Sequence, residues 1–289
     1  MPFHDLQKRY YPHNSRVHQS LAVLDHNAID YQLICDVILW LCTMRGPADG
    51  KAWLDRFEAG AGQQQQQRRP PPPPDAAKPD DDYDSSANAI LVFLPGIKEI
   101  TTLQEMLQYM PAFSRGEQRE WILPIHSTVP PEDQRKVFTR PGVAGVRKIV
   151  LATNIAETAI TIDDVAFVVD TGRMKELRYD PLRKMASLED CLVSRANARQ
   201  RRGRAGRVRE GLAVHLYTRH RHDFIAVPHQ PPEVKRVPLE QLVLRIKALK
   251  YEGTAAEVCA RLVEPPDPRA VLRAISELRF LEALKDDER

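Results

Sequence analysis

Apolar residues in the middle of the chain come in short runs separated by amphipathic segments. The run Ala89-Ile-Leu-Val-Phe-Leu94 ends at Pro95-Gly96, as expected of a strand that is buried on both faces. Four further strands are predicted over residues 121–126, 147–153, 165–170 and 212–217. Helical spacing of apolar residues follows the first strand over 97–109, and another helix is predicted to begin near Pro130. Strands that alternate with helices predict an α/β fold, a parallel sheet with helices on both faces.

The pattern changes before and after these strands. Apolar residues recur at helical spacing from Asp30 to about Met44, and Asp30 is placed to cap that helix. A run of glutamines, a run of prolines and an Asp-rich tail follow, a composition that buries too little apolar surface to fold. The chain is therefore predicted to have four parts: a helical lead-in (1–58), a disordered insertion (59–87), an α/β domain (88–220) and the start of a further region (221–289).

Two shorter patterns lie after the fourth predicted strand. Between Asp170 and Ser194, two strand-like arms flank Asp180-Pro181, and a turn sequence between such arms predicts a β-hairpin. Near the end of the chain, apolar residues at helical spacing predict an amphipathic helix over 271–284.

Composition narrows the class of protein. The 289 residues are 43% hydrophobic and 28% charged, as in ordinary soluble domains, and the net charge is only +3. Four cysteines are scattered without a C-x-x-C pair or a histidine pattern, so neither a metal site nor a disulfide is predicted. The most apolar run, Leu33 to Cys42, is too short to cross a bilayer, and the first residues lack a signal-peptide layout. We expect a soluble intracellular protein, cytoplasmic or nuclear.

An arginine-rich stretch carries the candidate chemistry. Six arginines alternate with small residues between Asn197 and Arg209. In a helix, Gln200, Arg204 and Arg207 fall at i, i+4 and i+7 on one face. Two guanidinium forks and an amide on one face suit a polyphosphate, because arginine stays charged and binds phosphate oxygens bidentately. The alternative is a solvated basic run or a nuclear-localisation patch.

A second unusual stretch covers residues 148–163 and reads Lys-Ile-Val-Leu-Ala-Thr-Asn-Ile-Ala-Glu-Thr-Ala-Ile-Thr-Ile-Asp. The two stretches resemble the fifth and sixth motifs of DEAH-box RNA helicases, the subgroup related to RNA helicase A. Residues 200–207 match that family's Q-R-x-G-R-x-G-R pattern at every fixed position, and Phe93-Leu-Pro-Gly96 matches its fourth motif. The resemblance implies that the α/β domain is a second RecA-like lobe, followed by the start of a winged-helix domain that stays incomplete.

The resemblance assigns residues to an ATP site that is shared with a first lobe. The implied catalytic residues are Gln200, Arg204 and Arg207. The two arginines would reach the γ-phosphate as arginine fingers, and the glutamine would orient the attacking water or contact the same phosphate. Phe138 matches an aromatic residue that stacks on adenine. Asp163 would accept a hydrogen bond from the ribose hydroxyl. Thr153 is assigned to the nucleotide as well as to RNA. The alternatives are a core position for Phe138, a helix or turn cap for Asp163 and surface ion pairs for the arginines.

RNA-backbone contacts are implied at the ends of strands, from Ser127, Thr153, Asn154 and Thr158. Small hydrogen-bonding groups there would hold the sugar-phosphate backbone and fix its position without reading sequence. Ligands gather beyond the carboxyl ends of parallel strands, and Thr153-Asn154 and Pro95-Gly96 are predicted to lie at such ends, which agrees with the motif assignment.

Two motifs of a self-sufficient ATPase of this class do not occur: the loop G-x-x-x-x-G-K-[ST] and the sequence D-E-x-H. By resemblance they belong to a first lobe, which would also hold the ligands for Mg²⁺, so we expect a fragment of a longer enzyme that is inactive alone. Its partners would be ATP, single-stranded or structured RNA and that first lobe. No association with a membrane is expected. Two alternatives stay open: a non-catalytic RNA-binding or partner-docking module, and a DNA-directed helicase lobe.

Overall fold

The computed structural model describes residues 25, 27–44, 46–50, 52, 88–158, 160–180, 185–207 and 210–285, apart from the side chains of residues 131 and 133. The predicted disordered insertion, the predicted turn after Asp180 and most of the predicted lead-in lie outside these ranges. The chain divides into two compact units: residues 1–174 with 192–229, and residues 175–191 with 230–289.

The first unit is built on a sheet of parallel strands. Its members are β1 (Ala89–Phe93), β2 (Ile122–Ile125), β3 (Ile149–Ala152), β4 (Val165–Asp170) and β7 (Leu212–His215). They lie in the order β2-β3-β1-β4-β7, and each neighbouring pair is parallel. In this register Phe93 pairs with both Ala152 and Asp170, so the residues that follow β1, β3 and β4 lie at one edge of the sheet. Each strand lies within its predicted segment, and the predicted α/β fold is confirmed.

Helices and turns pack on both faces of this sheet. The helices are α1 (Tyr31–Cys42), α2 (Ile97–Tyr109), α3 (Pro131–Arg135), α4 (Ile155–Thr158) and α5 (Arg195–Arg202), with 3₁₀ turns at Gly116–Trp121 and Lys136–Phe138 and a π turn at Arg221–Ile225. Successive residues of a strand point to opposite faces, so the apolar run of β1 fills two cores. Ile90 and Val92 belong to the core that α1 and α2 cover, whereas Leu91 and Phe93 belong to the core that contains Ala156 of α4.

Side-chain hydrogen bonds hold both ends of helix α1. Its N-terminus is capped by Asp30, which accepts a hydrogen bond from the amide of Leu33 at 2.9 Å, as predicted. At its C-terminus the buried Arg147 donates to the carbonyls of Leu41 at 2.7 Å and Met44 at 2.6 Å. Arg147, two residues before β3, thus joins the end of the helix to the start of a strand. Within the described ranges, no helix has both the length and the apolar character needed to cross a membrane.

The second unit contains a hairpin and three helices. Strand β5 (Arg173–Asp180) pairs with β6 (Met185–Leu192), which confirms the predicted hairpin. The helices are α6 (Glu240–Ala248), α7 (Ala255–Ala260) and α8 (Pro268–Phe280), preceded by a 3₁₀ turn at Glu233–Lys235. Helix α8 begins before the predicted position because Asp267 accepts from the amide of Arg269 and Pro268 occupies the first helical position. The assignment of this unit to a winged-helix domain stays a prediction.

Candidate nucleotide- and RNA-binding site

The arginine-rich stretch forms a short helix followed by a turn. Helix α5 is capped by Ser194, whose hydroxyl accepts from the amide of Asn197 at 3.1 Å, and it ends at Arg202. Beyond it the amides of Arg204 and Ala205 bond to carbonyls three residues earlier, which is the geometry of a tight turn. The prediction of one continuous helix face is therefore wrong. The helix ends at a glycine, which has a low helix propensity, so Gln200 lies on α5 while Arg204 and Arg207 lie on the turn.

Arg201 is the arginine of the stretch that faces the core, and the sequence analysis missed it. Its side chain is fully buried. The guanidinium donates from Nε to Glu157 Oε1 at 2.7 Å and from Nη1 to Asp170 Oδ1 at 2.8 Å, and it lies over the ring of Phe93. Although burial opposes the charged form, the two carboxylates raise the pKa of Arg201. The signal that identifies it is its spacing from Ala198, since the two residues lie three apart on the buried stripe of α5.

Asp170, the last residue of β4, is the centre of a buried polar network. It accepts from Arg201 and from the amide of Gly172 at 2.9 Å, and its second oxygen lies 3.3 Å from His215 Nδ1 and 3.2 Å from the Tyr217 hydroxyl. Burial favours the neutral acid, but the charge of Arg201 and the contact with His215 outweigh it and hold the pKa of Asp170 below its ordinary value. This network fixes the N-terminal half of the arginine stretch to the sheet.

Neither Arg204 nor Arg207 forms an ion pair with any other residue that the structure describes. Half-buried Arg204 donates from Nη2 to the main-chain carbonyl of Glu157, while its Nε and Nη1 are buried without a hydrogen-bond partner among the described residues. Exposed Arg207 donates to the hydroxyl of Thr161. Burial and the nearby charge of Arg207 lower the pKa of Arg204. Two neighbouring cationic groups make this turn a candidate site for an anion.

Gly211, just before β7, fixes the position of this turn. A Cβ atom at residue 211 would lie 1.7 Å from the carbonyl oxygen of Ala205 and 2.6 Å from its Cβ. Only glycine permits this approach of two backbones. The turn that carries Arg204 therefore packs directly on the start of the last strand of the sheet.

Replacing Gly211 with alanine is expected to lower the free energy of unfolding by about 1–3 kcal/mol, because the new methyl group forces the backbone of Ala205 to move. The matched control is Gly206→Ala in the same turn, where a Cβ meets nothing within 4 Å. It should change the stability by less than about 0.5 kcal/mol. Urea denaturation followed by circular dichroism measures both, and equal stability of the two variants would contradict the packing described here.

The residues assigned to adenine and ribose lie near the amino ends of the strands. Phe138 ends a 3₁₀ turn and is 53% exposed, so the alternative of a core position is wrong. Lys148, immediately before β3, holds this turn through the carbonyls of Val137 at 2.6 Å and Thr139 at 2.8 Å. Asp163 is exposed two residues before β4 and lies 3.8 Å from Arg140, in an ion pair.

A buried ion pair links the turn that ends at Phe138 to the start of β4. Lys148 Nζ lies 2.8 Å from Asp164 Oδ1, and neither side chain is exposed to solvent. Burial is the largest effect on both groups, and it lowers the pKa of Lys148 and raises that of Asp164 against their mutual attraction. Lys148 also bonds to the carbonyls of Val137 and Thr139, on either side of Phe138. The ion pair therefore sets the distance between this turn and the start of β4.

The residues assigned to RNA lie at the opposite, carboxyl edge of the sheet. Ser127 comes after β2, and Thr153 and Asn154 come directly after β3. Ser127, Asn154 and Thr158 are exposed, whereas Thr153 is 6% exposed. Thr153 and Asn154 lie at the predicted edge, and the structure does not bring Phe138 or Asp163 together with them. The segment that follows β3 returns to the start of β4 and connects the two edges, because strands in a parallel sheet all run the same way.

Comparison with known proteins agrees with this geometry. Residues 83–209 match the helicase conserved C-terminal domain. The chain is 51% identical over 204 residues to the human putative ATP-dependent RNA helicase DHX57, covering 70% of this chain and 15% of that protein. It is 48% identical over 200 residues to the chloroplastic DExH-box ATP-dependent RNA helicase DExH4 of Arabidopsis thaliana, covering 69% of this chain and 14% of that protein.

Human ATP-dependent RNA helicase DHX30 is a third relative, 48% identical over 207 residues that cover 72% of this chain and 17% of that protein. The chain thus spans about a sixth of the length of these relatives. Its parallel sheet is the RecA-like fold of the matched domain. The chain therefore carries the conserved C-terminal domain of the helicases, and its relatives are RNA helicases of the DExH/DEAH-box group.

Proposed function

We propose that the chain acts as the second catalytic lobe of an ATP-dependent RNA helicase. In this role it supplies Arg204 and Arg207 to the γ-phosphate of ATP and contacts the backbone of single-stranded RNA. The observation that carries the proposal is the difference between neighbouring arginines. Arg201 forms ion pairs with two buried carboxylates and leaves only Nη2 unpaired. Arg204 bonds to one main-chain carbonyl, and both its Nε and its Nη1 lack a partner among the described residues.

The unused donors fit a phosphate group of ATP. A guanidinium binds phosphate oxygens through its N–H groups, and the unpaired Nε and Nη1 of Arg204 are two such donors. An anion there would offset the burial and the charge of Arg207 that lower the pKa of Arg204. During phosphoryl transfer the arginines would stabilise charge on the transferred group, and Gln200, exposed on α5, would orient the attacking water.

The rest of the nucleotide would contact the amino edge of the sheet. Phe138 offers an exposed ring face for adenine, and Asp163 offers a carboxylate for a ribose hydroxyl, which would compete with its ion pair to Arg140. ATP supplies the phosphoryl group. The phosphate-cradling loop and the ligands of Mg²⁺ are expected on a first lobe, and closing of the two lobes would complete the site.

RNA would contact the carboxyl edge through Ser127, Thr153, Asn154 and Thr158. The exposed hydroxyl and amide groups there can donate to phosphate oxygens, and Thr153 would act mainly through its backbone because its side chain is buried. Contacts of this kind fix the position of a strand without reading its sequence. Binding should therefore be sequence-tolerant and weaken as salt rises.

Replacing Ser127 and Asn154 together with alanine is expected to weaken the binding of single-stranded RNA by about thirtyfold, because two hydrogen bonds of about 1 kcal/mol each are lost. Fluorescence anisotropy of a labelled oligouridylate at several salt concentrations measures this. The matched control is Thr101→Ala. Thr101 is an exposed polar residue on α2, a helix that packs on the core containing Ile90 and Val92. If the unsubstituted chain, the double variant and Thr101→Ala bound RNA equally tightly, the proposed RNA contacts would be wrong.

A further inference from the structure

Glu157 makes hydrogen bonds in three directions, and the proposed chemistry does not use it. Its side chain is 4% exposed. Oε1 accepts from Nε of Arg201 at 2.7 Å, and Oε2 accepts from Nδ2 of Asn197 at 2.7 Å. Its main-chain carbonyl accepts from Nη2 of Arg204. One residue of α4 therefore contacts three residues of α5 and its following turn.

The main chain of Glu157 is also bonded to the RNA side of the site. Its amide donates to the carbonyl of Asn154 at 2.9 Å, and the amide of Ala156 donates to the carbonyl of Thr153 at 3.2 Å. Only two hydrogen bonds, both made by Glu157, separate Asn154 from the guanidinium of Arg204. A single helical turn, α4, thus joins the turn at Asn154 to the carbonyl that bonds to Arg204.

The side chain of Glu157 determines where that carbonyl lies. Arg201 and Asn197 occupy both of its oxygens, and Arg201 is in turn bound to Asp170 in the core. A carboxylate is required at this position, because both neighbours present donors and an amide would offer only one acceptor oxygen. The buried side chain thus holds the carbonyl of residue 157 opposite Arg204.

We propose that Glu157 is a positioning residue that couples the two halves of the site: RNA bound at Asn154 moves the guanidinium of Arg204 through Glu157. The inference rests on the proposed function, in which Asn154 contacts RNA and Arg204 contacts the γ-phosphate. It adds a physical route between them through a contiguous set of hydrogen bonds. Coupling of this kind is reciprocal, so an anion at Arg204 also changes the affinity for RNA.

Nuclear magnetic resonance of the ¹⁵N-labelled 289-residue chain tests the coupling. The readouts are the backbone amide of Asn154 and the Nε–H signal of Arg204 during titration with a short oligouridylate. In the unsubstituted chain both signals should shift in parallel as RNA binds. In Glu157→Gln the signal of Asn154 should still shift, while the shift of Arg204 should be largely lost. The amide leaves either Asn197 Nδ2 or, if Asn197 turns over, the Ser194 hydroxyl without its acceptor.

A double variant supplies the matched rescue. Adding Asn197→Asp to Glu157→Gln exchanges donor and acceptor: the amide nitrogen at 157 can donate to the new carboxylate, and its oxygen can still accept from Arg201. The pair keeps the net charge of the original residues, and the Arg204 shift should return. If Glu157 only stabilised the fold, the double variant would not be expected to restore the shift of Arg204. Where Glu157→Gln alone does not fold, Asn197→Ala, which removes only the Oε2 bond, replaces it and should reduce the Arg204 shift.

The failures of the two proposals can be told apart. RNA shifts at Asn154 without a shift at Arg204 in the unsubstituted chain would overturn the coupling and leave the RNA contact standing. An undiminished Arg204 shift in folded Glu157→Gln would also overturn the role of Glu157. Absence of any shift at Asn154 would overturn the RNA contact itself, and the coupling with it.

Discussion

Replacing Arg201 with alanine is expected to lower the free energy of unfolding by about 3–5 kcal/mol, the cost of leaving a buried ion pair without one partner. Asp170 and Glu157 would keep buried carboxylates without their guanidinium, and the ring of Phe93 would lose its cation. Domains of this kind are stable by only about 5–15 kcal/mol, so a large fraction of the total would be lost. Equilibrium urea denaturation of the chain measures the change.

Two further variants make the measurement specific. Arg202→Ala removes the same charge from the neighbouring exposed position and should cost less than about 0.5 kcal/mol. Arg201→Lys keeps the charge but loses the planar fork that reaches two carboxylates, so it should fall between the other variants. If Arg201→Ala were as stable as Arg202→Ala, the described network would not hold this part of the fold together.

Replacing Arg204 with alanine is expected to reduce RNA-stimulated ATP turnover by about 10³–10⁵-fold, the usual effect of removing an arginine finger, with little change in stability. The activity is measured in a chimera in which residues 88–285 replace the matching lobe of the human relative that is 51% identical. A lysine at this position should not restore the rate, since it lacks the planar guanidinium and its several N–H donors.

The control for this prediction is Arg199→Ala. Arg199 is exposed on α5 and carries the same charge, but it lies on the helix before the turn. Its replacement should leave turnover close to that of the unsubstituted chimera. Equal losses in the two variants would mean that overall positive charge, rather than the position of Arg204, supports the reaction.

Much of the fold follows from the sequence because buried parallel strands leave a direct trace. The run that became β1 is apolar without alternation, since both of its faces lie in a core. Asp30 as a cap and the hairpin around Asp180 are local signals of the same kind, carried by residues close together in the chain. Such short-range patterns need no knowledge of the tertiary structure.

The roles of the individual arginines could not be derived in this way. Arg201 and Arg204 have the same side chain and lie in the same motif, and only long-range contacts separate them. Glu157 and Asp170 lie 44 and 31 residues before Arg201, so their pairing depends on how α4, β4 and α5 come together. Motif spacing identified the stretch, but it did not indicate where the helix would end or which arginine would face the core.

The separation of the candidate site into two edges also depends on tertiary structure. Thr153 follows a strand and Asp163 precedes one, and a parallel sheet places such residues at opposite edges. The sequence analysis grouped them because both belong to one motif. The segment between them contains Glu157, which is why a residue without an obvious chemical role contacts both Asn154 and Arg204.

ATP hydrolysis with and without single-stranded RNA tests the central claim most directly, in the 289-residue chain alone and in the chimera. The account predicts no turnover above background for the chain alone, and RNA-stimulated turnover in the chimera that Arg204→Ala abolishes. RNA-stimulated turnover by the chain alone would contradict it, because the chain would then hold its own phosphate-binding loop. A folded chimera whose turnover is absent or insensitive to Arg204→Ala would also contradict it, and would favour a non-catalytic RNA-binding or docking module.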